Sequence, residues 1–182
     1  MILEILKFPD SRLREKAVPI AEGEVDAKLR ALAENMAETM YEEPGIGLAA
    51  PQVGEGQRLI VMDLDWTEGE RNLRVLLNPE IVRQEGKQLS KDEACLSVPD
   101  FSADVDRAER VVVEARTLDW ERVEFDCSGL ESVCFQHEID HLDGMLYIYR
   151  ISRLKRDLYV RRRKKQLRRE QEEPGRPGSI PL

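Results

Sequence analysis

The sequence predicts an α+β fold, with small antiparallel or mixed sheets packed around a central helix and a basic helix at the C-terminus. Two observations lead there. Runs rich in Val, Ile and Leu cluster between two helical segments instead of alternating with them, which disfavours a βαβ repeat. The chain's two histidines fall in one five-residue stretch, His137-Glu138-Ile139-Asp140-His141, inside the second helical segment.

Taken in order, Asp26 to Tyr41 reads as an amphipathic helix. Leu29, Leu32, Ala33, Met36 and Met40 share one face and charged residues the other. Asp26 or a neighbour opens it and Pro44-Gly45 end it. Arg58–Leu64, Val75–Gln84, Arg110–Leu118 and Glu121–Asp126 read as strands, with a hairpin turn at Leu118-Asp119-Trp120. Thr67–Asn72 and Phe101–Ala108 read as polar loops. The second helix spans Leu130 to Leu142, a stretch free of proline and glycine. Leu130, Val133, Cys134, His137 and His141 recur there at helical spacing, as one largely buried stripe. Ser128, with Glu131 three residues on, is a candidate cap, and Gly144 a C-terminal stop.

Residues 150–169 hold 11 basic residues and 1 acidic one. They read as a helix that packs Ile151, Leu154, Leu158 and Tyr159 on the body. The expected organisation is one domain over residues 1–150, a basic helical extension over 151–173 and a disordered Pro- and Gly-containing tail over 174–182.

Composition narrows the class. A chain of 182 residues with 41% hydrophobic content is long enough for one globular core. No apolar run approaches the ~18 residues of a membrane helix. The N-terminus has neither a signal-peptide nor a transit-peptide layout, so a cytoplasmic location is expected. Three cysteines, an odd number, argue against a disulfide framework and fit a reducing compartment. The net charge of −8 combines an acidic body with the basic tail, which points to an anionic partner for the tail.

The histidine pair carries the chemistry. Residues four apart lie one above the other on a helix, so His137 and His141 can aim at one point. Glu138 is then placed to act on a water bound there, the arrangement of metal-assisted hydrolysis. An open catalytic site takes three protein ligands. With histidine exhausted, the third must be Cys, Asp or Glu. Cys95, in the loop-like run Glu93-Ala94-Cys95-Leu96-Ser97-Val98-Pro99, is mildly favoured over an acidic residue. Cys134, one turn before His137, and Cys127, at a strand end, read as small core residues. Glycines at 45 and 47 allow backbone to approach a ligand closely and tolerate positive φ.

Three segments resemble the motifs of the peptide deformylase family, in its order and spacing. They are Gly45-Ile46-Gly47-Leu48-Ala49-Ala50-Pro51-Gln52, the Glu93–Pro99 run, and Gln136-His137-Glu138-Ile139-Asp140-His141-Leu142-Asp143-Gly144. Phe8-Pro9-Asp10-Ser11-Arg12-Leu13-Arg14 resembles the family's start, and the likeness covers residues 3 to 150. The second motif departs at Ala94, where the family usually has Gly, which bears on substrate preference. The resemblance implies a metal held by Cys95, His137 and His141, with Glu138 as general base. It implies an oxyanion site from the Gln52 side chain and the Leu96 backbone N–H. It further implies substrate pairing at Gly47 and beside Ala94, and a methionine pocket from Ile46, Leu130, Val133 and Cys134. The substrate would be the formyl-Met end of nascent peptides and the products formate and a free amine. The divalent metal would be Fe2+ in the cell, with Zn2+, Ni2+ or Co2+ possible in isolated protein. Residues 150–169 would dock on the ribosome, and neither DNA nor a membrane is an expected partner. Three other readings remain at this point: a generic H-E-x-x-H metallopeptidase with a carboxylate or His as third ligand, an RNA-binding module with a decayed site, and a hydrolase of other acylated amines.

Overall fold

The computed structural model describes residues 1–66 and 69–172. The expected tail at 174–182 lies outside them, as does part of the Thr67–Asn72 loop. Strands β1 (Gly47–Ala49), β2 (Leu59–Met62), β3 (Arg74–Glu85), β6 (Arg110–Arg116) and β7 (Arg122–Ser128) form an antiparallel sheet in the order β1-β2-β3-β6-β7. Strands β4 (Gln88–Cys95) and β5 (Val98–Arg107) form a separate antiparallel hairpin. The helices are α1 (Ala27–Glu42), α2 (Gly129–Leu142) and α3 (Arg153–Glu172).

The strand period of two explains how the sheet is covered. Along β2, Leu59 and Val61 face a core shared with Leu29, Ala33, Met36 and Met40 of α1. Ile60 and Met62 face the other way, into a core with Phe135, Ile139 and Leu142 of α2. Helix α2 is thereby held between the sheet and the β4–β5 hairpin. Helix α1 starts where expected: the Asp26 carboxylate accepts the Lys28 and Leu29 N–H groups at 2.9 Å each.

Several expectations fail. Of the expected loop Phe101–Ala108, all but Ala108 belongs to β5, and Glu93–Pro99 is the tight β4–β5 turn with its flanking residues. Phe101, Ala103, Val105 and Arg107 turn inward in strict alternation, and the inward arginine disguises the pattern. The short β1 also lies in a segment not read as a strand. Ser128 stands at the N-cap of α2, but its side chain makes no cap bond. Glu131 pairs with Arg74 of β3 instead of closing a capping box.

Of the residues expected to pack the C-terminal helix on the body, Ile151 and Tyr159 do so and Leu154 and Leu158 do not. Leu154 and Leu158 are 72% and 57% exposed. Tyr159 is buried, stacked 4.7 Å from the Phe101 ring, and Arg163 donates to Phe8 O at 3.2 Å. The contact stripe runs through Arg156, Tyr159, Val160 and Arg163, which share a helical face.

Candidate active site

Helix α2 presents His137 and His141 one turn apart, with ring centroids 5.0 Å from each other. The end of β4 brings Cys95 to them. The ligand atoms of Cys95, His137 and His141 all lie within 4.8 Å of one another, and Cys95 Sγ is 3.2 Å from His141 Nε2. The Nδ1 of His137 is bonded to Glu93 at 2.8 Å, which leaves its Nε2 for the shared point.

The surroundings suit a cation. Burial lowers the affinity of His141 for a proton, holding it well below the usual imidazole range, and His137 adds to this. Burial acts the same way on His137, but hydrogen bonds to Cys95 and Glu93 overcome it and hold this ring well above that range. The two rings thus differ in proton affinity, His141 low and His137 high. Glu138 Oε2 is buried and finds no partner among the described residues, so one carboxylate oxygen is free for a ligand. Burial pushes the Glu138 carboxyl up to about 7, the range of a proton carrier near neutrality. Two imidazoles and a thiolate fit a divalent transition metal by donor chemistry.

Gln52 is buried beside this point in a short 3₁₀ turn after β1. Its Oε1 accepts the Ala49 N–H at 2.9 Å, which fixes the amide orientation. The Nε2 is thereby turned to Cys95 Sγ at 3.6 Å and Ser97 Oγ at 3.2 Å. A cleft of about 830 Å³ opens over Cys95, His137 and Glu138. Ile46, Gly47, Ala94, Leu96, Leu130, Val133 and Cys134 line it, while His141 lies beneath its floor. Leu130 is 58% exposed at the rim and not part of a buried stripe.

The sequence matches the model of the polypeptide deformylase family over residues 2–157. The chain belongs to that family. It is 52% identical over 168 residues to the peptide deformylase of Acidobacterium capsulatum, covering 92% of this chain and 97% of that one. Among solved structures it resembles a peptide deformylase from Legionella pneumophila, with a TM-score of 0.86 and 40% identity over 96% of this chain and 100% of that one. It also resembles a Met-Ala-Ser-bound peptide deformylase from Acinetobacter baumannii, with a TM-score of 0.77 and 37% identity over 83% of this chain and 99% of that one.

Within this deformylase, β1 is an edge strand whose outer side faces the cleft. Asp63 N–H donates to Ile46 O at 3.0 Å, so Ile46 and Asp63 form a hydrogen-bonded pair of the β1–β2 ladder. The alternation of an antiparallel ladder then turns Gly47 N–H and C=O to the free edge. Gly47 and Gly45 do not adopt positive φ; Gly47 is needed for space, because a Cβ there would lie 2.4 Å from Glu138 Oε1.

The groups that orient the histidines lie outside the expected site residues. Arg107, its side chain 1% exposed, donates to Glu93 at 2.5 Å and to Asp140 at 2.6 Å. Arg150 donates to the same Asp140 at 2.6 and 2.5 Å. Burial alone would raise the Glu93 carboxyl, yet hydrogen bonds from His137 and Arg107 hold it down at about 2. The signal was available: Asp140 sits between the histidines of the motif, and Arg107 occupies an inward position of β5.

Proposed function

We propose that this chain is a metal-dependent hydrolase that removes the formyl group from formyl-methionine at the N-terminus of nascent polypeptides. Cys95, His137 and His141 hold one divalent metal, Fe2+ in the cell, while Zn2+, Ni2+ or Co2+ can occupy the site in isolated protein. When bound, such an ion polarises the formyl oxygen and eases the loss of a proton from water. The observation that carries this reading is the convergence of three donor atoms within 4.8 Å at the base of a cleft, in a chain of this family.

The chain's own groups do the rest. Glu138 takes a proton from the attacking water and returns one to the leaving amine. The Gln52 amide and the Leu96 N–H donate to the oxygen that becomes negative as the formyl carbon turns tetrahedral. The C–N bond breaks, giving formate and a free α-amino group. The substrate backbone adds as a strand to the free edge at Gly47. Its methionine side chain enters between Ile46, Leu130, Val133 and Cys134. Support comes from the relative bound to Met-Ala-Ser, which has the chemistry of the released peptide. Ala94 faces the same cleft, and its methyl narrows the choice of residues after the methionine.

The setting is cytoplasmic, and α3 docks the enzyme on the ribosome. In favour of docking, Arg161, Lys164, Lys165, Arg168 and Arg169 are exposed on α3. Among the described residues no helix is long and apolar enough to cross a membrane.

The test is formate release from formyl-Met-Ala-Ser by anaerobically iron-loaded or nickel-loaded protein. Wild type should release formate and metallated Glu138→Ala should not. Metal-bound wild type that releases none would overturn the reading and favour another acylated amine, with Ala94→Gly as the next variant.

A further inference from the structure

Residues 6–8 grip both halves of the active site. Leu6 N–H donates to Gln52 O at 2.7 Å and Phe8 N–H to Ser97 O at 2.8 Å. Between them, the Lys7 ammonium donates to Leu96 O at 2.8 Å. One tripeptide therefore ties the Gln52 turn to the Leu96–Ser97 turn. On the reading above these are the two sources of oxyanion donors.

The Lys7 contact differs in kind from its two neighbours. The backbone bonds set position, whereas the ammonium carries a full charge. Leu96 C=O belongs to the same peptide unit as Ser97 N–H, and that N–H donates to Cys95 Sγ at 3.4 Å. A cation on the carbonyl oxygen polarises the peptide unit and strengthens the bond made from its other end. The sequence Lys7 Nζ, Leu96 C=O, Ser97 N–H and Cys95 Sγ thus links one positive charge to the sulfur donor through two hydrogen bonds. Lys7 also lines the cleft, so the link lies along the wall where substrate would sit.

We propose that Lys7 is a positioning residue of this active site, fixing the Cys95–Leu96–Ser97 turn and directing the Ser97 N–H at the sulfur ligand. This rests on the deformylase reading for the role of Leu96, but the contact with the sulfur can be tested apart from it. A hydrogen bond to a ligating thiolate withdraws electron density, so its loss makes the sulfur a stronger donor.

The experiment compares cobalt-loaded wild type, Lys7→Met and Lys7→Arg as full-length proteins. Two quantities are read: the sulfur-to-cobalt charge-transfer band without substrate, and kcat and KM on formyl-Met-Ala-Ser. In Lys7→Met the band should move to longer wavelength, and kcat should fall about 10-fold while KM holds. Lys7→Arg should restore both, since it returns a cationic donor to the same carbonyl. An unchanged band or an unchanged kcat in Lys7→Met overturns the proposal, whatever happens to the melting temperature. Wild type that releases no formate would overturn the deformylase reading instead, and the band would still report on Lys7.

Discussion

The space that a side chain on Gly47 would need is filled by the Glu138 carboxylate, whose Oε1 would lie 2.4 Å from a Cβ built there. The β1 edge strand and the Glu138 carboxylate therefore lie too close together to admit any side chain at position 47. Gly47→Ala should displace the carboxylate and cost on the order of 10²-fold in kcat, as small misplacements of catalytic groups do. Metal content should be retained. Wild-type kinetics in a correctly metallated Gly47→Ala protein would refute the contact.

Gln52 should behave as a donor and not as packing. Gln52→Leu keeps most of the volume but removes the amide turned toward Cys95. The expected loss is about 10²–10³-fold in kcat with metal still bound. A variant that loses only thermal stability would place the oxyanion donor elsewhere.

Cys95 separates this site from one completed by a carboxylate. Cys95→Ala should abolish tight metal binding, read by metal analysis after dialysis against a weak chelator. Cys127→Ala should not, because Cys127 lies in the core on β7 away from the three donors. Retention of the metal by Cys95→Ala would return a generic metallopeptidase to contention.

Glu93 couples the site to acid stability. Its carboxyl is held at about 2 against an ordinary value of 4.5. A depressed folded value means stabilisation that is complete above the unfolded value and lost as pH falls toward the folded one. Metal-free protein should therefore lose stability between about pH 4.5 and pH 2, with Glu93→Gln showing a shallower acid limb in urea titrations. At neutral pH that substitution should cost about 3–5 kcal/mol, since it leaves the buried Arg107 short of one partner. Parallel acid limbs for the two proteins would contradict the assignment.

Ribosome docking should depend on the outward cations of α3 and not on those bonded to the body. Arg162 bonds the Asp100 carbonyl and Arg163 the Phe8 carbonyl. Reversing the charge of Lys164, Lys165, Arg168 and Arg169 should weaken co-sedimentation with ribosomes at low salt and flatten its salt dependence. Unchanged co-sedimentation would remove the ribosome as the partner of this helix.

The parts legible in the sequence are those whose signal is local. Helix α1 announces itself through its apolar stripe and the Asp26 cap, and the histidine pair through a four-residue spacing that only a helix turns into one site. Strands β3, β6 and β7 lie within two residues of their expected ends. The hairpin β4–β5 was missed because its inward face ends on Arg107, whose partners Glu93 and Asp140 lie 14 and 33 residues away. Charge at an inward position reads as loop until the carboxylates that neutralise it are seen in space. Half of the expected α3 stripe fails for a related reason. Leu154 and Leu158 have the right spacing, but the surface they would need is not beneath them, and the aromatic cluster of Phe8, Phe101 and Tyr147 receives the expected Tyr159 and neither leucine.

Arg150 is tied to the histidine helix through Asp140, and it stands just before α3. While the enzyme itself is being synthesised, its histidines and cysteine emerge before the arginine that completes the pairing of Asp140. A chain ending short of residue 150 would carry Cys95, His137 and His141 and still lack this clasp.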